Sequence, residues 1–213
     1  MPMTSVAKNR SAVAREGLPW LLLCLASILI VYRFAGPAWS VLPAAALVAL
    51  FLLFRDPGRD VPPLPLAVLA PCDGRVLSAE ESATGELKGR WQCVRIRCSR
   101  IGAYTVRAPI EGQVQCLTED QLAGSAERDG LWLRSEESDD VVLLFRGPPG
   151  PLAPRAFVRY GERLGQGQRF AYLRLAREAR IYLPATARLK VSRGDRVTAG
   201  RSELAELARG DGG

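Results

Sequence analysis

The sequence predicts a mostly β domain behind an N-terminal helical hairpin. Two apolar runs, residues 18–34 and 37–54, are separated only by Ala35-Gly36. From residue 67 onward, short stretches alternate apolar and polar side chains at period two, with turn residues between them. A chain of 213 residues can hold one packed domain and such a hairpin. We expect a basic tail, the hairpin, a linker, the β domain and a C-terminal tail over residues 1–17, 18–54, 55–66, 67–209 and 210–213.

Each apolar run is close to the lower limit, about 17 residues, for a helix that crosses a bilayer. Gly36-Pro37 argues against one continuous helix. Basic residues flank both outer ends of the pair, which by the positive-inside rule favours the cytoplasm for both ends. The sequence therefore predicts a transmembrane hairpin with its soluble part facing the cytoplasm. A shallow, re-entrant hairpin that never crosses the bilayer is the alternative.

The formal net charge is +7, with 29 basic and 22 acidic residues. Nearly all the basic residues are arginines, and they are scattered along the sequence without an aromatic-interleaved basic stripe. This pattern predicts no nucleic-acid partner. An anionic lipid surface is the partner that the charge favours.

The chain has 5 cysteines and no histidine. Cys93 and Cys98 are close in sequence, but no C-x-x-C pair and no histidine complete a zinc site. We expect no metal, and we expect the cysteines to be buried, reduced thiols.

Several segments of the predicted β domain have the composition of strands. They are rich in β-branched and aromatic residues and are bounded by glycine, proline and aspartate. Residues 202–209 are predicted to form either a helix or a final strand. The strand candidates are Val76-Leu77, Val94–Cys98, Leu131–Leu133 and Val141–Phe145.

Three turn phrases recur through this domain. Residues 70–76 and 108–114 both read A-P-x-[acid]-G-x-V, and residues 191–200 read V-x-x-G-D-x-V-x-A-G. Together they resemble the turns of biotinyl and lipoyl carrier domains, which implies a barrel-sandwich-hybrid β fold. Neither Lys88 nor Lys190 has the flanking residues of a carrier lysine, so the phrases predict the fold and not a carrier function.

Residues 167–184, GQRFAYLRLAREARIYLP, resemble the C-terminal signature of phosphatidylserine decarboxylases, roughly G-Q-R-I-G-x-I-R-F-G-S-R-x-D-x-Y-L-P. Residues 54–62, FRDPGRDVP, resemble the F-R-D-P-x-R-x-x-P junction of the short, membrane-anchored branch of that family. The resemblance extends from about Phe54 to Leu207. It implies a role in phospholipid metabolism at the bacterial inner membrane.

The resemblance also implies a site. In this family an aspartate, a histidine and the serine of a Gly-Ser pair act together, and self-cleavage converts the serine into a pyruvoyl cofactor. Asp73 matches the aspartate in P-x-D-G-x-V. Tyr104 falls at the histidine position, and Ala176 and Arg177 fall at the Gly-Ser position.

Arginine has no hydroxyl that could attack the preceding carbonyl, and neutral tyrosine, with an ordinary pKa near 10, is a poor general base. We therefore expect neither self-processing nor a pyruvoyl cofactor, although the pyruvoyl group defines the family. The chain's Gly-Ser dipeptide, Gly124-Ser125, lies far upstream and is the alternative processing position.

The preferred interpretation is a pseudoenzyme that still engages phospholipid head groups or a membrane partner. Arg177 is the candidate substrate-binding residue, because a guanidinium can pair with a phosphate. One alternative is an active decarboxylase that makes phosphatidylethanolamine after an unorthodox maturation. Another is a scaffold or partner-binding module that does not act on lipid.

Overall fold

The computed structural model describes residues 13–62, 64–82, 90–115, 130–148 and 153–208. The chain divides into two units. The first comprises Met1–Gly58 with Ile101–Tyr104, and the second comprises Arg59–Arg100 with Thr105–Gly213.

The two apolar runs are helices, as predicted. Helix α1 spans Leu18–Ala35 after a single 3-10 turn at Arg15–Gly17, and helix α2 spans Pro37–Leu53. Gly36 separates them with φ of 87°, a left-handed value that glycine adopts without steric cost. The Cys24 thiol donates a hydrogen bond to the Pro43 carbonyl at 3.2 Å and so links the two helices.

One helical segment, Arg15–Ala35, is 21 residues long and apolar enough to cross a bilayer. The second helix, Pro37–Leu53, is shorter than that length. By length and composition, the described residues therefore contain one helix that could span a membrane.

The second unit is built from antiparallel strands, and the prediction of a mostly β fold is confirmed. In the described ranges the strands are β1 Ala67–Leu69, β2 Gly74–Ser82, β3 Trp91–Cys98, β4 Thr105–Arg107, β5 Gly112–Gln115, β6 Gly130–Arg134, β7 Asp140–Arg146, β8 Arg155–Ala156, β9 Arg163–Leu164, β10 Arg169–Tyr172, β11 Glu178–Pro184, β12 Arg188–Leu189, β13 Arg196–Val197 and β14 Glu203–Glu206.

These strands form one eight-stranded sheet, in the order β13-β2-β3-β11-β7-β6-β5-β9, and two three-stranded sheets, β1-β14-β12 and β4-β10-β8. The inward-facing side chains of the large sheet are buried against the smaller ones because strand side chains alternate between faces. The core includes Val76, Ile96, Leu133, Leu143, Phe170, Ile181 and Leu204.

The structure settles the secondary structure of residues 174–180 and 202–209. For residues 202–209, the strand alternative holds, because Glu203–Glu206 pairs with both β1 and β12. The family signature implies a strand through residues 174–180, with Arg174 and Arg180 on one face. Strand β11 begins only at Glu178, because Arg174 has φ of 48° and lies in a turn. Arg174 and Arg180 therefore do not share a strand face.

The three turn phrases meet at one place in the second unit. Arg107, which directly precedes the second phrase, donates its backbone N–H to the Pro71 carbonyl of the first phrase at 2.9 Å. The N–H of Gly200 donates to the Ala70 carbonyl at 2.8 Å, which joins the third phrase to the first. The recurrence in sequence therefore corresponds to a cluster of turns held by backbone hydrogen bonds.

Gly74 is predicted to be essential at the start of β2. A Cβ atom at this position would overlap the carbonyl oxygen of Arg97 and lie 2.8 Å from Cγ2 of Ile96. We expect Gly74→Ala to destabilise the protein by about 2–3 kcal/mol, as overpacking typically does. Denaturant unfolding of the full chain in neutral detergent would measure the loss.

Gly165→Ala is the matched control, because its Cβ atom would meet only Oε1 of Gln168 at 3.6 Å, an ordinary contact. Equal stability losses for the two variants would contradict the close approach of β2 and β3 at Gly74.

Candidate functional site

Two of the residues that the resemblance singles out lie at the same end of the large sheet. The N–H of Ser99 donates to the Asp73 carbonyl at 2.8 Å, and the N–H of Cys98 donates to the Arg177 carbonyl at 2.9 Å. Asp73 and Arg177 therefore flank the end of strand β3. Arg146 closes the other side, because its carbonyl accepts the N–H of Arg177 at 2.9 Å.

The Asp73 carboxylate is fully engaged. Arg59 donates to its two oxygens from Nη1 and Nη2, at 2.5 and 2.6 Å, and the Ala199 N–H donates to Oδ1 at 2.8 Å. Arg59 also donates to the Ala199 carbonyl at 2.9 Å. The side chains of Arg59 and Asp73 are only 11% and 16% exposed. These contacts join the junction at residues 54–62 to the first and third turn phrases.

Arg177 follows a tight turn. The N–H of Ala176 donates to the Leu173 carbonyl at 3.1 Å. Gly147 packs against this turn, since a Cβ atom there would lie 3.0 Å from Cα of Ala176. The Arg177 side chain is exposed, while Ala176 is half-buried.

A pyruvoyl group does not fit this position. Such a group would have to form from a serine, and the residue at the turn is an arginine without a hydroxyl nucleophile. The alternative position, Gly124-Ser125, lies outside the described residues. No step through a pyruvoyl group is therefore derived from this site.

Tyr104 belongs to the first unit, where it is buried. Its hydroxyl donates to Oε2 of Glu16 at 2.9 Å, and its ring centroid lies 4.8 Å from that of Phe54. Its backbone N–H donates to the Arg55 carbonyl at 3.0 Å. The Tyr104 hydroxyl thus acts as a hydrogen-bond donor to a carboxylate.

Sequence reasoning missed a charged cluster on β11. Oε1 of Glu178 accepts hydrogen bonds from Nε of Arg95 and Nε of Arg180, both at 2.8 Å. Burial raises the pKa of the Glu178 carboxyl, but the two hydrogen bonds and the positive charges outweigh burial and hold that pKa below its ordinary value. The alternation Glu178-x-Arg180 was the available signal, although it does not reveal Arg95 as the partner.

A thiol pair lies beneath the sheet end. Sγ of Cys72 is 3.6 Å from Sγ of Cys98, and both residues are buried. The hydrogen bond between the thiols, together with burial, raises the pKa of Cys72 well above its ordinary value. The prediction of buried thiols holds for Cys72, Cys93 and Cys98, whereas Cys24 is half-buried and Cys116 lies outside the described residues.

The fold and the site define a mostly β protein with an apolar N-terminal helix and a candidate site at a sheet end. Proteins named phosphatidylserine decarboxylase proenzyme are similar over nearly the whole chain. That of Nitrosomonas europaea is 34% identical and that of Nitrosomonas eutropha 33%, and each match covers 92% of this chain and 95% of the relative. The protein from Cupriavidus pinatubonensis is 31% identical with the same coverage.

The chain therefore belongs to the phosphatidylserine decarboxylase family. This membership supports a role related to phosphatidylserine decarboxylation in phospholipid metabolism. No family model matches the chain. Among solved structures, glucose permease IIA from Mycoplasma capricolum is 16% identical, with a TM-score of 0.46, and the match covers 66% of this chain and 94% of that one. That likeness is too distant to carry an argument.

The Glu178 cluster makes stability depend on pH. Because the folded-state pKa of Glu178 is lowered, its contribution is complete above the unfolded pKa of about 4.3 and is lost as the pH falls through the folded-state pKa. We expect Glu178→Gln to cost about 1–3 kcal/mol at pH 7, the range for a charged hydrogen bond. Denaturant unfolding at pH 7 and near pH 3 would show this cost shrinking at the lower pH.

Glu80→Gln controls for the loss of one negative charge, since Glu80 is exposed on β2. A cost for Glu178→Gln that is the same at both pH values would contradict the assignment.

Proposed function

We propose that this chain is a membrane-anchored member of its family that neither processes itself nor carries a pyruvoyl group. The observation that supports this most directly is Arg177, the residue at the serine position. Its backbone is held between Cys98 and Arg146 by hydrogen bonds, and its side chain offers no nucleophile. The proposal is therefore a pseudoenzyme of phospholipid metabolism.

The other two site residues support the same proposal. The Tyr104 hydroxyl donates to Glu16, so it is occupied as a donor and is not poised to accept a proton. The Asp73 carboxylate is occupied by Arg59 and by the Ala199 N–H. Neither group has the arrangement that a general base for self-cleavage needs.

The proposed location is the bacterial inner membrane, with the β unit on the cytoplasmic side. Helix α1, with the 3-10 turn before it, supports membrane insertion by its length and composition. Basic residues on both outer sides of the helix pair support the orientation, through the positive-inside rule. The proposed ligand is a phospholipid head group, for which Arg177 offers an exposed guanidinium that can pair with a phosphate.

An active decarboxylase with an unorthodox maturation is the second candidate. The relatives are 30–34% identical to this chain, in matches that cover 92% of it. Their name, phosphatidylserine decarboxylase proenzyme, favours this second candidate. That candidate requires the chain to be cleaved and to gain a reactive carbonyl, whereas the proposed pseudoenzyme stays intact.

Intact-mass spectrometry of the purified, full-length protein distinguishes the two. We expect a single uncleaved chain of 213 residues with no borohydride-reducible carbonyl, because residue 177 cannot start the acyl shift. The Nitrosomonas europaea relative, expressed and purified in parallel, is the comparison for processing under the same conditions.

Two fragments, one of them with a blocked terminus that borohydride reduces, would overturn the proposal. The fragment masses would also locate the cleavage, at Ala176-Arg177 or at Gly124-Ser125. Release of labelled carbon dioxide from carboxyl-labelled phosphatidylserine would then confirm the active alternative.

A further inference from the structure

A row of arginines crosses the outer face of the large sheet. Arg196, Arg75, Arg97, Glu178 and Arg146 are consecutive cross-strand partners on β13, β2, β3, β11 and β7. These five positions are here called the arginine row, and its four arginines are exposed. Their sequence neighbours in the strands are core residues: Val76, Ile96, Phe145 and Val197. Because strand side chains alternate between faces, the arginine row points away from the core.

The row places like charges directly opposite each other. Arg196 faces Arg75, and Arg75 faces Arg97. Two residues further along the same face, Arg95 faces Arg180. Like charges at directly opposite sheet positions are destabilising. An oppositely charged partner would relieve this repulsion.

The one carboxylate in the row is engaged by arginines outside it. Oε1 of Glu178 is engaged by Arg95 and Arg180, which lie outside the row. Asp195, next to Arg196, uses its carboxylate to accept the backbone N–H of Ser192 at 2.8 Å. Among the described residues, no side-chain hydrogen bond or ion pair is formed by Arg75, Arg97 or Arg196.

We propose that the arginine row is a docking surface for an anionic phospholipid bilayer. Neighbouring strands lie about 4.8 Å apart, so the five positions of the row extend about 19 Å. A line of positive charge on that scale matches a surface with many phosphates better than it matches one small anion. Clustered arginines are attracted to anionic leaflets within a Debye length of the surface.

An apolar helix in the same chain would bring the arginine row close to a bilayer. Helix α1, with the turn before it, is long and apolar enough to cross one. Residues 54–66 connect α2 to β1 and can span at most about 45 Å when fully extended. The inference does not require the proposed loss of processing, because none of the row residues is at the processing position.

Nucleic acid is the competing polyanion, and the composition of the row disfavours it. The row consists of arginines and Glu178 alone, so it offers no aromatic side chain on which a base could stack. Nucleic acid could then bind only through its phosphates, which a structured RNA in the experiment checks.

Arginine footprinting tests the proposal on the full-length chain. The protein is reconstituted in nanodiscs of phosphatidylcholine alone or of an equimolar mixture with phosphatidylglycerol. Phenylglyoxal modification is then measured for each arginine by mass spectrometry. We expect Arg75, Arg97 and Arg196 to react at least about fivefold more slowly in the anionic discs. The difference should vanish in about 1 M NaCl, where the Debye length is about 3 Å.

Exposed arginines outside the row are the internal control. Arg155 and Arg159 are exposed in the same unit and should react equally in the two lipid mixtures. Equal rates for the row in both mixtures would overturn the proposal, as would slowing of all exposed arginines alike. Slowing of the row by a structured RNA or by inorganic phosphate in neutral discs, without slowing by phosphatidylglycerol, would also overturn it.

A matched pair of variants separates the row from net charge. Arg75→Gln with Arg196→Gln should restore fast modification of Arg97 in anionic discs. Arg155→Gln with Arg159→Gln, which removes the same charge, should leave Arg97 slow. The first variant should unfold at the same temperature as the unmodified chain or a higher one, because it removes like-charge pairs. A slow Arg97 in the first variant would contradict docking through the row.

Discussion

The ion pair between Arg59 and Asp73 is the interaction on which the candidate site depends. Arg59 comes from the junction that precedes the first strand, and Asp73 from the first turn phrase. The Ala199 N–H, in the third phrase, donates to the same carboxylate. Three segments far apart in sequence are therefore fixed at one largely buried carboxylate, where losing either charge would leave the other unpaired. This constraint gives Asp73 a reason to remain an aspartate whether or not the site does chemistry.

The rest of the sheet end is held by backbone groups. Cys98, Arg146 and Arg177 exchange hydrogen bonds through their main chains, so the strand register does not depend on the side chain at position 177. A fold held in this way does not depend on which side chains stand at positions 176 and 177. We infer that the architecture and the chemistry of this family are separable, which is why the proposed pseudoenzyme can keep the family fold.

The sequence was sufficient to predict the helix pair, the β class and the position of the turns, because apolar periodicity and Gly/Pro spacing encode local structure. Contacts between distant segments were not predictable in this way. The pairing of Arg59 with Asp73 and the arginine row both depend on strand register. Register is set by how distant strands pair, so the sequence of one segment does not specify it. Arg177 was located by its spacing within the signature. The strand predicted through Arg174 was wrong because that residue adopts a positive φ.

The central claim is that Asp73 stabilises the fold through Arg59. A double-mutant cycle of Arg59→Gln and Asp73→Asn, measured by denaturant unfolding of the full chain in neutral detergent, tests it most directly. We predict a cost of about 2–4 kcal/mol for each single variant. The coupling between the two positions should be about 1.5–3 kcal/mol, as for residues in one buried network. Additive costs, with a coupling within about 0.3 kcal/mol of zero, would contradict the claim.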